Sequence, residues 1–371
     1  MAISTGSKIL LTDYNALQTN VSNVLGTGSG NLGYGQSLTS VNLTGTPRVQ
    51  AADWANLKID LLKIANHQGV SSNASIVSLI GASFTGVITT GTLTVSSVTG
   101  TIAIGDAVIG LGVSVGTYIT GGSGATWTVT PSQSVSSTAM KSGGQFSSGD
   151  RIGALTLQSF SNAYTSINSN TFAIAQYSDE SFSPTISNSR TASWGTPSIP
   201  AIVHAFTVDF GSANAARYFF NSGSSLRFSG LRTLGSGSTQ DTNWSTMFTN
   251  MSTVIFNYNS TTASSGTGSS IGFYNLTSSN QTIFTISGSG NYSTNSYTVQ
   301  ARCDVVNNST GTARYVYITI TLTDTHSNAF SDVVDGTITS AISMRRASGS
   351  NVSVTAPTAT NTTLLTNDLY V

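Results

Sequence analysis

Tyr315-Val316-Tyr317-Ile318-Thr319-Ile320-Thr321-Leu322 places an aliphatic residue at every second position and Tyr or Thr between. Successive side chains of a strand point to opposite faces, so the stretch reads as a half-buried antiparallel strand with Val316, Ile318, Ile320 and Leu322 inward. Outward from it, strands are expected over 202–210, 217–232, 253–258, 271–274, 283–286, 297–306 and 337–344. One helical interruption, Asn243-Trp244-Ser245-Thr246-Met247-Phe248, follows Asp241 as its cap. So many strands in succession predict an antiparallel β-sandwich of jelly-roll-like type over 200–371. Residues 171–199, with Ser183-Pro184 and Thr196-Pro197, read as an extended connector.

Composition agrees with a mainly β chain carrying a small α region. Charged residues are 8% of the 371, and Glu180 is the only glutamate; an ordinary soluble domain has about 25% charged residues. Strong helix formers are thereby scarce, while Ser, Thr, Asn and 37 glycines favour strands, caps and turns. With 38% hydrophobic and 9% aromatic residues the chain is expected to fold rather than stay disordered. Formal charge is zero, and no basic patch is present to neutralise phosphates, so no nucleic-acid partner is expected. A surface so close to neutral lacks the repulsion that keeps monomers apart and suits a homo-oligomer or a larger assembly. No apolar run of about 20 residues predicts a membrane span, and the start of the chain lacks the features of a secretory signal. Cys303, the single cysteine, lies in an alternating run and reads as a small core residue.

The N-terminal part repeats one helical pattern three times. Lys8-Ile9 and Thr12-Asp13 precede Tyr14, Leu17, Val21 and Val24; Arg48-Val49 and Asp53 precede Trp54, Leu57, Leu61 and Ile64; Arg151-Ile152 and Thr156 precede Leu157, Phe160, Tyr164 and Ile167. The spacing i, i+3, i+7, i+10 lays an apolar stripe along about three helical turns. Thr or Asp caps each start, and Gly26 and Gly69 end the first two helices. Such helices are too short to stand alone, so the stripes are expected to pack on each other or on neighbouring subunits, as an assembly stripe in a docking region over 1–78 and 142–170. Between the second and third copies, residues 79–141 read as short strands punctuated by glycines, a small β-barrel or sandwich inserted in a surface connection.

Motifs of catalysis fare poorly. Gly28-Ser29-Gly30-Asn31-Leu32-Gly33 matches GxGxxG, yet a dinucleotide loop needs a strand before it and a helix after it. Here a helix precedes and Tyr34-Gly35-Gln36 follows, so the run reads as a flexible link. His67, His204 and His326 lie in separate segments with no partner at ligand spacing, and each reads as a surface or hydrogen-bonded residue. Asp324, Asp332 and Asp335 form the acidic cluster of the C-terminal part; Asp332-Val333-Val334-Asp335-Gly336 reads as turn chemistry rather than the carboxylate pair of a glycan-cleaving enzyme. Tyr218-Phe219-Phe220 and Tyr315/Tyr317 are candidate aromatic platforms, of which alternation assigns at least half to the core. No catalytic, metal or cofactor site is expected.

The segments Lys8-Ile9-Leu10-Leu11-Thr12-Asp13-Tyr14-Asn15, Gly33-Tyr34-Gly35-Gln36, Asp53-Trp54 through His67-Gln68, and Ala215-Ala216-Arg217-Tyr218-Phe219-Phe220-Asn221-Ser222-Gly223 with Leu226-Arg227-Phe228 resemble virion structural proteins of T4-like marine cyanophages. The inserted stretch, with Ser83-Phe84-Thr85-Gly86, Gly110-Leu111-Gly112-Val113 and Trp127-Thr128-Val129, looks like a β-unit common in phage tail and fibre proteins. The resemblance implies a virion location in tail, baseplate, fibre or neck, other virion proteins as partners, and no catalytic residues. Neck or capsid decoration, and recognition of a host-surface glycan by the C-terminal sandwich, are the alternatives.

Overall fold

The computed structural model describes residues 9–45, 48–147, 150, 153–197, 199–325 and 333–362. The chain divides into two units: Met1–Gly28 with Gln36–Gln176, and Ser29–Gly35 with Tyr177–Val371.

In the first unit α1 (Leu11–Leu25), α2 (Ala51–Gln68) and α4 (Ala154–Asn168) are the three expected helices, joined by a short α3 (Ala74–Ile80) that the sequence pattern did not suggest. Their stripes meet. The Tyr14 ring stands edge-on to Trp54 at 5.3 Å, and Trp54 stands edge-on to Phe160 at 4.9 Å. Each helix starts about one turn earlier than the expected caps. Asp13 and Asp53 sit in the first turn, where their carboxylates reach back to accept from the amides of Leu10 (2.8 Å) and Gln50 (2.7 Å). They satisfy orphan donors from inside the helix; Thr156 occupies the same place in α4 but its hydroxyl finds no partner among the described residues. Gly69 ends α2 in the left-handed conformation at φ 75°. Gly26 ends α1 at φ −82°, and suits the position for a different reason: a Cβ there would lie 2.8 Å from the Ser22 carbonyl oxygen as well as from Leu38 Cδ1.

The inserted module comprises β1 (Ala82–Thr89), β2 (Thr92–Gly100), β3 (Val108–Gly110), β4 (Tyr118–Ser123), β5 (Thr126–Thr130) and β6 (Val135–Ser142). They form one antiparallel sheet in the order β3-β6-β1-β2-β5-β4. Its two edges meet through Val108 N to Thr117 O (2.8 Å) and Ile119 N to Asp106 O (2.9 Å), so the sheet curls into a small barrel. Phe84, Ile88, Leu93, Ile119, Val129 and Met140 fill it. Polar groups lock the barrel onto the helices beneath. The buried Asp106 carboxylate accepts from Ser78 Oγ of α3 (2.5 Å) and Ser142 Oγ of β6 (3.1 Å). Lys58 of α2 donates to the carbonyls of Ile80 (2.9 Å) and Gly144 (3.0 Å), and burial lowers its ammonium pKa to about 8.

The second unit contains β7 (Tyr177–Arg190), β8 (Ala201–Asp209), α5 (Ala213–Asn221), β9 (Ser225–Thr233), α6 (Thr239–Met251), β10 (Thr253–Phe256), β11 (Thr261–Thr262), β12 (Gln281–Ser287), β13 (Ser296–Cys303), β14 (Tyr315–Thr323), β15 (Thr337–Ala347) and β16 (Thr358–Thr362). Two antiparallel five-stranded sheets result, β11-β10-β9-β15-β7 and β12-β13-β14-β8-β16. The sandwich is as expected. Within it β12, β13 and β14 lie side by side as a meander, while the chain crosses between sheets at β7–β8–β9 and β14–β15–β16. Buried polar bonds tie the sheets together: His204 Nδ1 to Ser340 Oγ at 2.9 Å, and Asn188 Nδ2 to the Ala205 carbonyl at 3.0 Å. α6 caps the interior, with Phe248 against the Tyr297 ring of the second sheet and over Gly230 of the first, where a methyl group would collide with it.

Three expectations are corrected. The connector 171–199 is largely β7, a 14-residue strand paired with β15. Its ladder breaks between Ile342 and Ser343, opposite Phe182-Ser183-Pro184-Thr185, where the proline has no amide to donate. The strand expected over 217–232 is the helix α5 followed by β9; Ser212 caps α5 by accepting from Ala215 N (3.1 Å). The strand expected over 271–274 is a 3-10 turn, Phe273–Asn275.

The convergence of three rings gives a direct test. Trp54→Ala should destabilise the first unit by about 3–5 kcal/mol, since the cavity it leaves is walled by Tyr14 and Phe160; the same change at Trp127, which is only partly buried against the barrel core and donates to Gly124 O (3.0 Å), should cost less. Urea unfolding read by tryptophan fluorescence distinguishes the two.

Candidate functional site

The expected assembly stripe is not a surface. Tyr14, Leu17, Val21, Val24, Trp54, Leu57, Leu61, Ile64, Leu157, Phe160 and Ile167 are all buried inside the first unit, and Tyr164 is half-buried beside an inward Ala163. Offering these faces to a neighbouring subunit would open the helical core, so they cannot also dock. Of the basic–aliphatic pairs, Arg48 is exposed, and Lys8, Arg151 and Ile152 lie outside the described residues.

The glycine run is neither a phosphate cradle nor a free link. Gly28, Gly30 and Gly33 take positive φ, and the carbonyls of Gly30, Leu32 and Gly33 accept from side chains of the second unit, to which residues 29–35 themselves belong. Arg217 Nη1 of α5 donates to Leu32 O (2.8 Å), Asn221 Nδ2 donates to Gly33 O (3.2 Å), and the Tyr274 hydroxyl reaches Gly30 O (2.8 Å). The Tyr218 ring lies directly on Gly35. A phosphate-binding loop turns amide hydrogens toward its ligand; this segment turns carbonyl oxygens toward a guanidinium. Arg217, Asn221 and Tyr274 carried no sequence signal as a group, because nothing local marks partners some 190 to 240 residues away.

The described titratable candidates are held within the fold. His67 and His204 are buried and His326 lies outside the described residues. Asp332 also lies outside them, and Asp324 is buried. Asp335 serves its turn and more: it accepts from Arg232 Nη2 (2.9 Å) and Ser236 N (2.9 Å), while Arg232 also holds buried Asp241 at 2.6 Å. Hydrogen bonding with Asp241 and then with Ser236 holds the Asp335 carboxyl at about 2. Cys303 is buried in β13 as expected, and burial pushes its thiol up. No group of three His, Cys, Asp or Glu able to hold a metal exists among the described residues. Phe219 and Phe220 join Phe210, Phe256 and Phe273 in an aromatic core, with Phe220 stacked on Phe273 at 4.3 Å.

Two surface features stand out among the described residues. In the first unit, a groove of about 1300 Å³ runs between the barrel and the start of α4, lined by Val113, Leu111 and Val115 and by the Lys141–Asp150 ion pair. Leu111 is 85% exposed and Val115 65%. In the second unit, each sheet carries arginines stacked on tyrosines on its outer face. Arg302 lies over Tyr317 at 4.1 Å and Arg314 over Tyr315 at 4.8 Å, the two rings stacking at 6.1 Å. On the other sheet Arg345 lies over Tyr177 at 3.7 Å. The Tyr315/Tyr317 platform therefore faces outward, but each ring is already covered on one face by a guanidinium. No family model, curated protein or solved structure matches the chain.

Two outcomes follow from these contacts. Burial, with the charge of Arg190 second, lowers the His204 imidazole to about 4, below the ordinary value near 6.5. The unfolded chain then takes up the proton first, so stability is full above about pH 6.5 and falls by roughly 3 kcal/mol as pH drops toward 4. Urea midpoints at pH 7 and pH 4.5 should show this loss, and His204→Gln should flatten it. Arg217→Ala leaves the carbonyls of Gly30 and Leu32 without a charged donor, at about 1–3 kcal/mol. Amide exchange across residues 29–35 should accelerate while exchange in β13 and β14 stays unchanged.

Proposed function

We propose that the chain is a structural subunit of a bacteriophage particle, associated with tail, baseplate or fibre and working through protein–protein assembly in the virion. The observation that carries this reading is the apolar lip Leu111/Val115 on a surface otherwise poor in charge. Asp60, Asp150, Asp179, Glu180, Asp209, Asp241 and Asp335 are each engaged in ion pairs within the chain. Little net charge is left to hold copies apart, and a large exposed leucine at a loop tip gains most by being covered. The resemblance to cyanophage virion proteins supports the same reading. A second reading, recognition of a host-surface glycan by the sandwich, is favoured by the outward tyrosine–arginine groups.

Mass spectrometry of purified particles should find the chain in a fixed ratio to the other virion proteins, and its absence would overturn the proposal. Leu111→Asp with Val115→Asp should lower incorporation into particles at least tenfold while leaving the melting temperature of the isolated chain unchanged.

A further inference from the structure

The outer face of the sheet β11-β10-β9-β15-β7 holds an unbalanced cluster. Arg345 of β15 grips the Asp179 carboxylate of β7 with two parallel bonds, Nε at 2.8 Å and Nη2 at 2.9 Å. Arg227 of β9 reaches the same carboxylate through Nη1 at 3.2 Å. Two guanidinium groups thus share one carboxylate, leaving an excess positive charge in a chain whose net charge is zero. Neighbouring Arg346 adds nothing to the excess, since it is held bidentately by Glu180 and donates to Val354 O. Register confirms that the groups share a face: Arg345 pairs with Asp179, and Arg227 with Ser343, which in turn pairs with Ser181. Arg227 Nε is enclosed and finds no hydrogen-bond partner among the described residues.

Beside the arginines stands Tyr177, a residue 43% exposed, with Arg345 over one face of its ring. Ser181 and Ser343 add hydroxyls to the same face, and the Asp179 side chain is 48% exposed. The corresponding group on the other sheet differs. Arg314 there is matched bidentately by Asp209 at 2.7 Å, Arg302 lies over Tyr317 with no ion pair among the described residues, and the two tyrosines stack on each other, so no carboxylate is shared between two guanidinium groups.

We infer that Arg227, Arg345, Asp179 and Tyr177 form a binding site for an acidic sugar, a carboxylate-bearing residue of the uronate kind within a polysaccharide. The excess guanidinium charge attracts the sugar carboxylate electrostatically; the Arg345 fork is already engaged by Asp179, and the Arg227 side chain is 17% exposed with its Nε enclosed. The Asp179 oxygens left facing solvent, with the serines, accept and donate to sugar hydroxyls. The exposed Tyr177 ring meets an apolar C–H face of the sugar. A nucleic-acid backbone is disfavoured, because one excess guanidinium charge offers no row of cations along a run of phosphates. This inference rests on the glycan-recognition reading and names its site and ligand class.

Calorimetry of the full chain with hexagalacturonate, a neutral galactose oligomer of equal length and a polyglutamate peptide tests it. Hexagalacturonate should bind, more weakly as NaCl rises. Arg227→Gln and Tyr177→Ala should each weaken it about tenfold, Arg227→Lys should restore part of the loss, and Arg302→Gln on the opposite sheet should change nothing. Unaltered melting temperatures of the variants separate lost contacts from lost folding. Equal binding of the neutral oligomer, indifferent to Arg227→Gln, would overturn the acidic site and leave glycan recognition standing. Binding of no saccharide would overturn both. Polyglutamate binding that ignores Tyr177→Ala would mark a peptide site and overturn the inference, as would a loss on Arg302→Gln in place of Arg227→Gln.

Discussion

Each five-stranded sheet of the second unit has one apolar face, and each is the other's cover. Alternation along β13, β14 and β15 is nearly unbroken, with Tyr297, Val299 and Ala301, then Val316, Ile318, Ile320 and Leu322, then Ile338, Ile342 and Met344 directed inward. A one-residue slip in any of these ladders would turn a whole apolar set outward. The other elements of the unit accommodate this constraint. α6 brings Trp244, Met247, Phe248 and Met251 to an end of the interior, and α5 inserts Phe219 and Phe220 into an aromatic core with Phe210 and Phe273.

The few charges are placed where chain segments far apart in sequence must stay together. Arg232 draws Asp241 and Asp335 to one point, Arg314 joins the start of β14 to the end of β8 through Asp209, and Asp60 collects the amides of Thr39 and Ser40 (2.9 and 2.8 Å) to fix the segment crossing α2. Exposed pairs of this kind contribute little each. Buried ones act mainly as geometric specification, because breaking one leaves a charge without a partner. Arg217 does the same for residues 29–35 with carbonyls instead of a carboxylate. Against a surface rich in Ser, Thr and Asn, exposed apolar residues such as Leu111, Leu234 and Val306, and the Arg227–Asp179–Arg345 group, are chemically conspicuous.

Much of the architecture was legible locally. The stripes Tyr14–Val24, Trp54–Ile64 and Leu157–Ile167 are helices, and the Tyr315 stretch is a strand, because a periodicity of 3.6 or 2 is a property of neighbours in sequence. The misreadings share one cause. Tyr218-Phe219-Phe220 has the composition of a strand, yet its helix is set by the Ser212 cap and the burial of one side. Tyr177–Arg190 has the composition of a loop, yet it becomes a strand because β15 offers an edge to pair with. In both cases tertiary partners outweighed intrinsic preference.

The sequence by itself determined that this protein is mainly β, that three amphipathic helices and an inserted β-module precede a sandwich, and which residues face the core. Periodicity and turn chemistry act over a few residues, and they are written wherever those residues stand. Only the tertiary structure decided what those faces pack against. It decided that the helical stripes pack on each other rather than on neighbouring subunits, made a glycine run into a segment gripped by Arg217, Asn221 and Tyr274, and set Arg227, Arg345, Asp179 and Tyr177 side by side. These four lie on three strands, and their proximity is a matter of register between strands, which no local pattern encodes.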